Sequence, residues 1–184
     1  MYVKNTLLPL LNSYQINYQI YAHEALAHGD IEITLPDMKG TILKNLVLTN
    51  KNKDLYLFTL PLHMRANLKG LSDVLGVPRF SFASVSDLAY IGIPPGHVSP
   101  FCLFNDPNLQ VKYVQPVELD NFELVNCHPL DNHFSVDIKR ADLESLVRKT
   151  GHEITKVSGA IKLWALYERS FELCFVQFAL DLSS

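Results

Sequence analysis

Two β-rich runs joined by a short polar turn constrain the fold of this chain most. They span Thr41 to Leu48 and Leu55 to Leu60, and six polar residues connect them. β-Branched and aromatic residues favour strands, and a short polar connection keeps two strands antiparallel neighbours, so the pattern predicts a hairpin. A sheet is therefore part of the fold, and the other elements must be arranged around it.

Helical and β periodicities alternate through the rest of the chain. Helices are predicted at residues 1–13, 68–75, 84–92 and 141–149. Strands are predicted at residues 14–21, 79–83, 101–104, 109–114, 122–127 and 134–138. Excess strands, interspersed helices and short connections predict one α+β domain with a mixed, mostly antiparallel, curved and barrel-like sheet flanked by helices.

The composition indicates an ordinary globular protein, with 184 residues of which 48% are hydrophobic and 19% charged. The N-terminal segment lacks the pattern of a secretion signal, and no segment indicates a membrane span. Cys102, Cys127 and Cys174 share no CxxC spacing and are interpreted as reduced thiols. These features predict a cytoplasmic protein.

Charge is unevenly distributed around a net value of −3. Residues 39–69 contain six basic side chains and one acidic one, whereas residues 118–144 contain seven acids and two basic residues. The basic segment either supplies a few contacts to RNA phosphates or only keeps the hairpin soluble.

Lys44 is the first candidate functional residue. By strand alternation it shares a face with Ile42 and Leu46, while Asn45 lies on the opposite face. Burying a charged amine on an apolar face costs free energy unless an anion or a hydrogen-bond acceptor contacts it. Lys44 is therefore either a ligand for a phosphate or polarised carbonyl, or a lysine that reaches solvent from an edge strand.

Two polar segments are further candidates. Residues 94–100 contain three prolines and Gly96, so the loop has a fixed shape and its amides could approach a ligand or form an oxyanion hole. His128 lies in a polar turn after an apolar strand, where it could donate a hydrogen bond or titrate near neutrality. Each segment also has a purely structural interpretation, as a rigid connection and as a histidine that caps a strand end.

Several kinds of active site are not supported by the sequence. Cys127 and His128 are adjacent on a predicted strand, so their side chains diverge and do not form a nucleophile–base pair. There is no GxSxG, SxxK, P-loop or GxGxxG pattern. The histidine pairs 23/28 and 128/133 are five residues apart, which is not the spacing of a helical zinc motif. Neither a metal nor a cofactor is expected.

Four segments, taken in this order, resemble the YbaK/ProX family of prolyl-tRNA editing domains. They are Gly40 with Lys44-Asn45-Leu46, Arg79 to Ala83, Pro95 to Phe101, and His128 to Asn132. The similarity extends over residues 5 to 152, with Val47 and Ser135 in place of the family's usual aromatic residue and threonine. Residues 1–152 are therefore predicted to form an editing domain, and residues 153–184 an apolar extension that packs on it or on a partner subunit.

The resemblance implies a free-standing aminoacyl-tRNA deacylase, of the branch that removes alanine from proline tRNA. Lys44 and Gly96 would be the catalytic residues, Lys44 by anchoring the terminal adenosine phosphate and Gly96 as part of a loop that holds the aminoacyl group. The implied substrate-binding residues are Asn45, Ser99, Pro100, Cys127, His128 and Asn132, with Ile31 or Ile33 limiting the size of the pocket.

The implied partners are the acceptor end of proline tRNA and prolyl-tRNA synthetase, with no membrane; a homodimer is left open. The alternative function is a non-catalytic module of the same fold that binds aminoacyl-tRNA or a synthetase. A deacylation assay on mischarged tRNAs distinguishes the two.

Overall fold

The computed structural model describes residues 2–24, 38–90, 92 and 98–162. Its helices within these ranges are α1 (Lys4–Ser13), α2 (Leu68–Leu75), α3 (Val85–Tyr90) and α4 (Arg140–Lys149). Its strands are β1 (Tyr18–Ala22), β2 (Thr41–Thr49), β3 (Leu55–Pro61), β4 (Arg65–Ala66), β5 (Ser81–Phe82), β6 (Val111–Pro116), β7 (Leu124–Cys127), β8 (Phe134–Lys139), β9 (Ile154–Val157) and β10 (Ile161–Lys162). Two 3-10 helices span Pro100–Asn105 and Val117–Asn121.

One mixed sheet organises these elements. Over the described ranges its strand order is β1-β8-β7-β2-β3-β6-β9, β5 pairs with β2 beside this path, and β4 with β10 forms a separate ribbon. The pairs β2–β7, β3–β6 and β6–β9 are parallel, and the other pairs are antiparallel. The predicted α+β domain, with a mixed sheet flanked by helices, is confirmed.

Apolar side chains form a core on each face of the sheet. α1, α4 and the first 3-10 helix cover one face, where they bury Leu7, Leu146 and Phe101. α2 covers the other face, where Leu71 packs with Phe58 of β3. β2 and β3 therefore lie between two packed layers. Burial of each such side chain stabilises this arrangement by about 1.5–3 kcal/mol.

The predicted hairpin and the helix that follows it are confirmed. β2 pairs with β3 from Leu43↔Pro61 to Thr49↔Leu55. α2 begins after Asn67, whose side chain accepts a hydrogen bond from the Gly70 amide, and ends at Gly76 in the left-handed conformation with φ 64°. Asparagine at the start and glycine after the end of a helix satisfy backbone groups that have no partner inside it.

The predicted capping box before α3 is also confirmed. The Ser84 amide donates to Asp87 Oδ2 at 2.8 Å, and the Asp87 amide donates to Ser84 Oγ at 3.3 Å. These two bonds fix the start of this short helix.

The strand predicted at residues 101–104 is wrong, because Pro100–Asn105 forms a 3-10 helix. Ser99 Oγ caps it by accepting from the Phe101 amide at 3.4 Å, and Pro100 occupies the first helical turn, where its fixed φ is favourable. Periodicity in so short an apolar run does not separate a strand from a buried helical turn.

Two strands lie beyond residue 152. β9 extends the sheet by pairing in parallel with β6, from Tyr113↔Ile154 to Pro116↔Val157, and β10 pairs with β4. Residues 163–184 lie outside the described residues, so the proposed division at residue 152 and the packing of the tail stay predictions. No described helix is long and apolar enough to cross a membrane.

Candidate functional site

Strand β2 changes partners along its length, and the change leaves a gap in the sheet. β7 pairs with β2 at Thr41 and Ile42, and β5 pairs with it at Leu48 and Thr49. Between these positions none of the described strands pairs with this edge of β2. Because β7 runs parallel to β2, its last residue, Cys127, lies at the gap, which brings β2 next to the predicted functional turn.

The hairpin register shows which backbone groups of β2 face the gap. The Leu62 amide donates to Ile42 O at 2.8 Å, so the even-numbered residues of β2 direct their backbone groups towards β3. The odd-numbered residues direct theirs to the opposite edge, where Val47 O accepts from the Ala83 amide at 2.9 Å. The backbone N–H and C=O of Asn45 therefore face the gap.

Lys44 lies half-buried on the face of β2 that also carries Leu46 and Leu48, as the alternation predicts. Its Nζ donates a hydrogen bond to Leu62 O at 3.1 Å. A hydrogen bond from a charged amine to a carbonyl is stronger than a neutral one, so the amine is fixed at the end of the hairpin nearest the gap.

Asn45 begins a line of uncharged polar groups on the opposite face. Thr59 Oγ1 donates to Asn45 Oδ1 at 2.8 Å, and the Tyr113 hydroxyl hydrogen-bonds Thr59. Thr59 and Tyr113 are almost completely buried, and burial raises the pKa of Tyr113, so its phenol stays protonated. The line holds the Asn45 side chain in one orientation beside the gap.

Ser99 and Cys127 meet beneath the gap. Ser99 is fully buried and hydrogen-bonds the Cys127 side chain, in addition to capping the 3-10 helix. Burial raises the pKa of Cys127 to about 12. Cys127 is therefore a thiol at neutral pH, and Ser99 and the buried Pro100 form the base of the site rather than an open surface.

His128 contacts the residue that precedes Ser99. Its Nε2 lies 2.9 Å from Val98 O, so this nitrogen carries the proton and donates it to the carbonyl. Cys127 and His128 therefore both contact the segment that leads into the 3-10 helix, Cys127 at Ser99 and His128 at Val98.

Asn132 is half-buried in the turn that follows His128. In the same turn Leu130 has a positive φ of 63°, and Asp131 forms a salt bridge of 3.1 Å with Lys4 of α1. A cavity of about 310 Å³ lies beside the turn, and its lining residues are Val3, Lys4, Asn5, Leu130, Asp131 and His133.

Gly40 allows β2 to enter the sheet next to β7. A Cβ atom at this position would lie 2.7 Å from Asp137 Oδ1 and 2.7 Å from the Val125 backbone, so any larger residue forces the strand away. Asp137 is buried and accepts hydrogen bonds from the Lys39 amide at 2.9 Å and from Asn126 Nδ2 at 2.7 Å. These contacts set the position from which β2 runs to Lys44.

The structure thus brings together Asn45, Ser99, Pro100, Cys127 and His128, and places the amine of Lys44 on the other face of β2. Sequence reasoning missed Thr59 and Tyr113, which orient Asn45. The available signal was a polar residue inside a strand with continuous apolar burial, since a buried hydroxyl there needs a partner.

Gly96, Ile31 and Ile33 lie outside the described residues. Within the described part of the chain, no three His, Cys, Asp or Glu side chains cluster as metal ligands.

Comparison with known proteins identifies the family. A family model described as the aminoacyl-tRNA editing domain matches residues 33–146. The prolyl-tRNA editing protein ProX of Acetoanaerobium sticklandii is 31% identical over 156 residues, which cover 83% of this chain and 94% of the relative. A prolyl-tRNA synthetase associated domain-containing protein of Danio rerio is 30% identical over 118 residues, covering 62% of this chain and 64% of that protein.

Solved structures share the fold. A hypothetical protein superimposes on this chain with a TM-score of 0.61 and 15% sequence identity. The superposition covers 84% of this chain and 98% of the hypothetical protein. A proposed trans-editing enzyme for prolyl-tRNA synthetase superimposes with a TM-score of 0.58 and 15% sequence identity. That superposition covers 83% of this chain and 94% of the proposed enzyme. With the sequence matches, these likenesses confirm the resemblance inferred from the four segments, and the chain belongs to the aminoacyl-tRNA editing domain family.

Proposed function

We propose that this protein is an aminoacyl-tRNA deacylase that removes alanine from mischarged proline tRNA. The observation that carries the proposal is the family match over residues 33–146, because this span contains Lys44, Asn45 and the turn after β7. The name of the bacterial relative supports proline tRNA as the carrier.

The reaction is hydrolysis of the ester between the amino acid and the terminal ribose. A water molecule attacks the ester carbonyl, the bond from the carbonyl carbon to the ribose oxygen breaks, and a proton passes to that oxygen. The products are the free amino acid and a tRNA with its hydroxyl restored. The neighbouring ribose hydroxyl is well placed to orient or activate the water.

The state of the two most nucleophilic side chains supports attack by water. A pKa of about 12 keeps Cys127 protonated at neutral pH, so it is a poor nucleophile. His128 uses its Nε2 proton to hold Val98 O. These two residues act in our proposal by shaping the wall of the pocket, and no covalent intermediate with the protein forms.

Lys44 and Asn45 act on different parts of the substrate. Lys44 has a positive charge fixed at the end of the hairpin, and we assign it to the phosphate of the terminal adenosine. The Asn45 backbone faces the gap, where it can hydrogen-bond the aminoacyl ester, and the segment from Gly96 to Pro100 supplies further amides to the carbonyl oxygen. Asn132 completes the wall beside His128.

Size selection explains why such an enzyme is needed. A synthetase pocket built for proline cannot strongly reject the smaller alanine, because each missing methylene changes binding by only about 1–3 kcal/mol. A second site that admits alanine and excludes proline supplies the remaining discrimination. We place this step in the cytoplasm, acting on tRNA released by prolyl-tRNA synthetase.

The test is a deacylation assay with alanyl-, cysteinyl-, seryl- and prolyl-tRNA(Pro) at equal concentration. We expect alanyl-tRNA(Pro) to be hydrolysed fastest and prolyl-tRNA(Pro) to be largely spared. Faster loss of cysteine or serine would replace the alanine assignment and keep the deacylase. Binding of all four without hydrolysis would show a non-catalytic module.

A further inference from the structure

The ribbon formed by β4 and β10 brings two cations together. Lys162 lies directly opposite Arg65, and both side chains are exposed. Lys69, in the first turn of α2, is also exposed. Like charges directly opposite each other destabilise a strand pair, so this arrangement is unfavourable without an anion. Within the described ranges, none of these three residues takes part in an ion pair.

The ribbon is rigidly attached to α2. The Asn67 amide donates to Ala160 O at 2.8 Å, and Asn67 Nδ2 donates to Gly159 O at 3.2 Å. The helix and the ribbon approach so closely that a Cβ atom on Gly70 would lie 2.5 Å from Gly159 O. The backbone positions that carry the three cations are therefore fixed relative to one another, which lowers the entropic cost of binding a ligand.

The other exposed lysines of the basic segment are in a different environment. Lys51 and Lys53 lie at the tip of the β2–β3 hairpin, where Lys53 is followed by Asp54 and lies near Asp87. Asp54 pairs there with Lys112 at 3.3 Å. The pKa of Asp87 is lowered by hydrogen bonds from Ser84 and, to a smaller extent, by the charge of Lys53. The hairpin tip is thus partly neutralised.

The ribbon also lies at the same end of the hairpin as the candidate site. Lys44 Nζ binds Leu62 O, and Arg65 follows three residues later, so the Cα atoms of Leu62 and Arg65 are at most about 11 Å apart. The hairpin tip lies at the opposite end of β3, roughly 20 Å away along a strand of this length.

We propose that Arg65, Lys69 and Lys162, the basic ribbon, bind backbone phosphates of the RNA strand that leads to the terminal adenosine. This inference rests on the proposed function, because it takes aminoacyl-tRNA as the substrate. Lys44 holds the end of the strand, and the basic ribbon holds the phosphates that precede it. Asp73, one turn further along α2, limits the positive surface on that side.

The experiment measures binding of uncharged proline tRNA, so it does not depend on hydrolysis. The variant Arg65→Gln/Lys162→Gln is compared with Lys51→Gln/Lys53→Asn, which removes two charges at the hairpin tip. Asparagine suits position 53 because Lys53 has a positive φ of 65°. The dissociation constant is measured as a function of salt concentration.

We expect the basic-ribbon variant to bind about tenfold more weakly at about 0.1 M salt, and its slope of log K against log salt to fall by about 1.5, as for two lost phosphate contacts. The hairpin-tip variant should stay within about twofold of wild type. An equal effect of both variants, no effect of the ribbon variant, or no salt-dependent binding by the wild type would each overturn the proposal.

A second measurement separates this proposal from the deacylase assignment. Adenosine 5′-phosphate esterified with alanine on its ribose carries the ester and the terminal phosphate assigned to Lys44, but none of the phosphates before it. The basic-ribbon variant should therefore hydrolyse it as fast as wild type does and lose activity only on the full tRNA. If the wild type binds tRNA through the basic ribbon but hydrolyses neither substrate, the result supports phosphate binding by the ribbon and contradicts the deacylase assignment.

Discussion

Strand β6 connects two polar clusters of opposite character. Tyr113 contacts Thr59 and, through it, Asn45, and every group in this line is uncharged. Gln115, two residues further along the same face, donates to the Glu144 carboxylate at 2.9 Å. The first cluster lies towards the gap in the sheet, and the second lies where β9 and α4 close the far edge.

The second cluster is dominated by charge. Glu144 pairs with Lys156 of β9 at 3.2 Å and with Arg140 one helical turn earlier. Both cations also pair with Asp120, Lys156 at 2.6 Å and Arg140 at 3.0 Å. These bonds join β9, α4 and the second 3-10 helix.

The difference indicates that the two clusters have different roles. An uncharged cluster next to the gap orients Asn45 without adding a charge that would disturb an ester and its attacking water. The ionic cluster supplies attachment at a distance from the site. Substitutions in the two regions should therefore separate activity from stability.

Lys44→Ala should have the largest effect on activity. We expect deacylation of alanyl-tRNA(Pro) to fall by about 100-fold, because loss of the phosphate anchor misplaces the ester relative to its attacking water. The melting temperature should change little, because the lost hydrogen bond to Leu62 O is offset by removal of a half-buried charge. Lys44→Arg should not restore full activity, since a planar guanidinium does not replace a compact ammonium. Activity within about twofold of wild type would show that Lys44 has no role in the reaction.

Glu144→Ala should have the largest effect on stability. It leaves the buried Gln115 amide without its acceptor and removes one of the two carboxylates that Arg140 and Lys156 share, the other being Asp120. This should lower the free energy of unfolding by about 2–3 kcal/mol in urea denaturation. The kcat of the folded variant should stay near that of wild type. Glu123→Ala, which removes an exposed acid, is the matched control and should lower stability by less than about 0.5 kcal/mol. A similar loss in both variants would contradict a special role for the cluster.

Thr59→Val should have a smaller effect on both properties. The variant keeps the side-chain shape but leaves Asn45 Oδ1 and the Tyr113 hydroxyl without their common partner, at a cost of about 1–2 kcal/mol. Because Asn45 is then free to rotate, we expect kcat/KM to fall severalfold. Thr59→Ser retains the hydroxyl and should recover most of the activity. Wild-type activity in Thr59→Val would show that the orientation of the Asn45 side chain does not affect catalysis.

The pH dependence of stability should show the smallest effect. Burial raises the pKa of Glu144, but hydrogen bonds from Gln115 and Arg140 and the bond and charge of Lys156 outweigh burial and hold the pKa below its ordinary value. A pKa lowered in the folded state adds stability above the unfolded pKa, and this stability is lost as the pH falls through the folded value. The unfolding free energy of wild type should therefore decrease more steeply below about pH 5 than that of Glu144→Gln. Parallel curves would contradict this.

Local sequence signals predicted much of the fold. The hairpin, α2 with its Asn67 and Gly76 ends, and the Ser84–Asp87 capping box each depend on residues close together in the chain. Strand alternation also placed Lys44 and Asn45 on opposite faces. The family resemblance rested on short segments of the same kind.

Features that depend on distant pairing could not be predicted. The gap exists because the pairing of β7 with β2 ends at Ile42. These two strands are far apart in the sequence, and no local pattern predicts where such a pairing ends. Thr59 meets Tyr113 because β3 and β6 pair in parallel, with more than fifty residues between the two side chains. The 3-10 helix after Ser99 was missed because short apolar runs are ambiguous.

The order of strands in the sheet has a consequence for synthesis of the protein. β1, near the N-terminus, pairs with β8, with Tyr18 opposite Ile138, and the other end of the sheet is closed by β9 up to Val157. A ribosome must therefore release most of the chain before either sheet edge acquires its neighbour. Folding that waits for such distant contacts is slow, and unpaired edges stay exposed in the meantime. A nascent chain of this topology should depend on chaperones until about residue 157 has emerged from the ribosome.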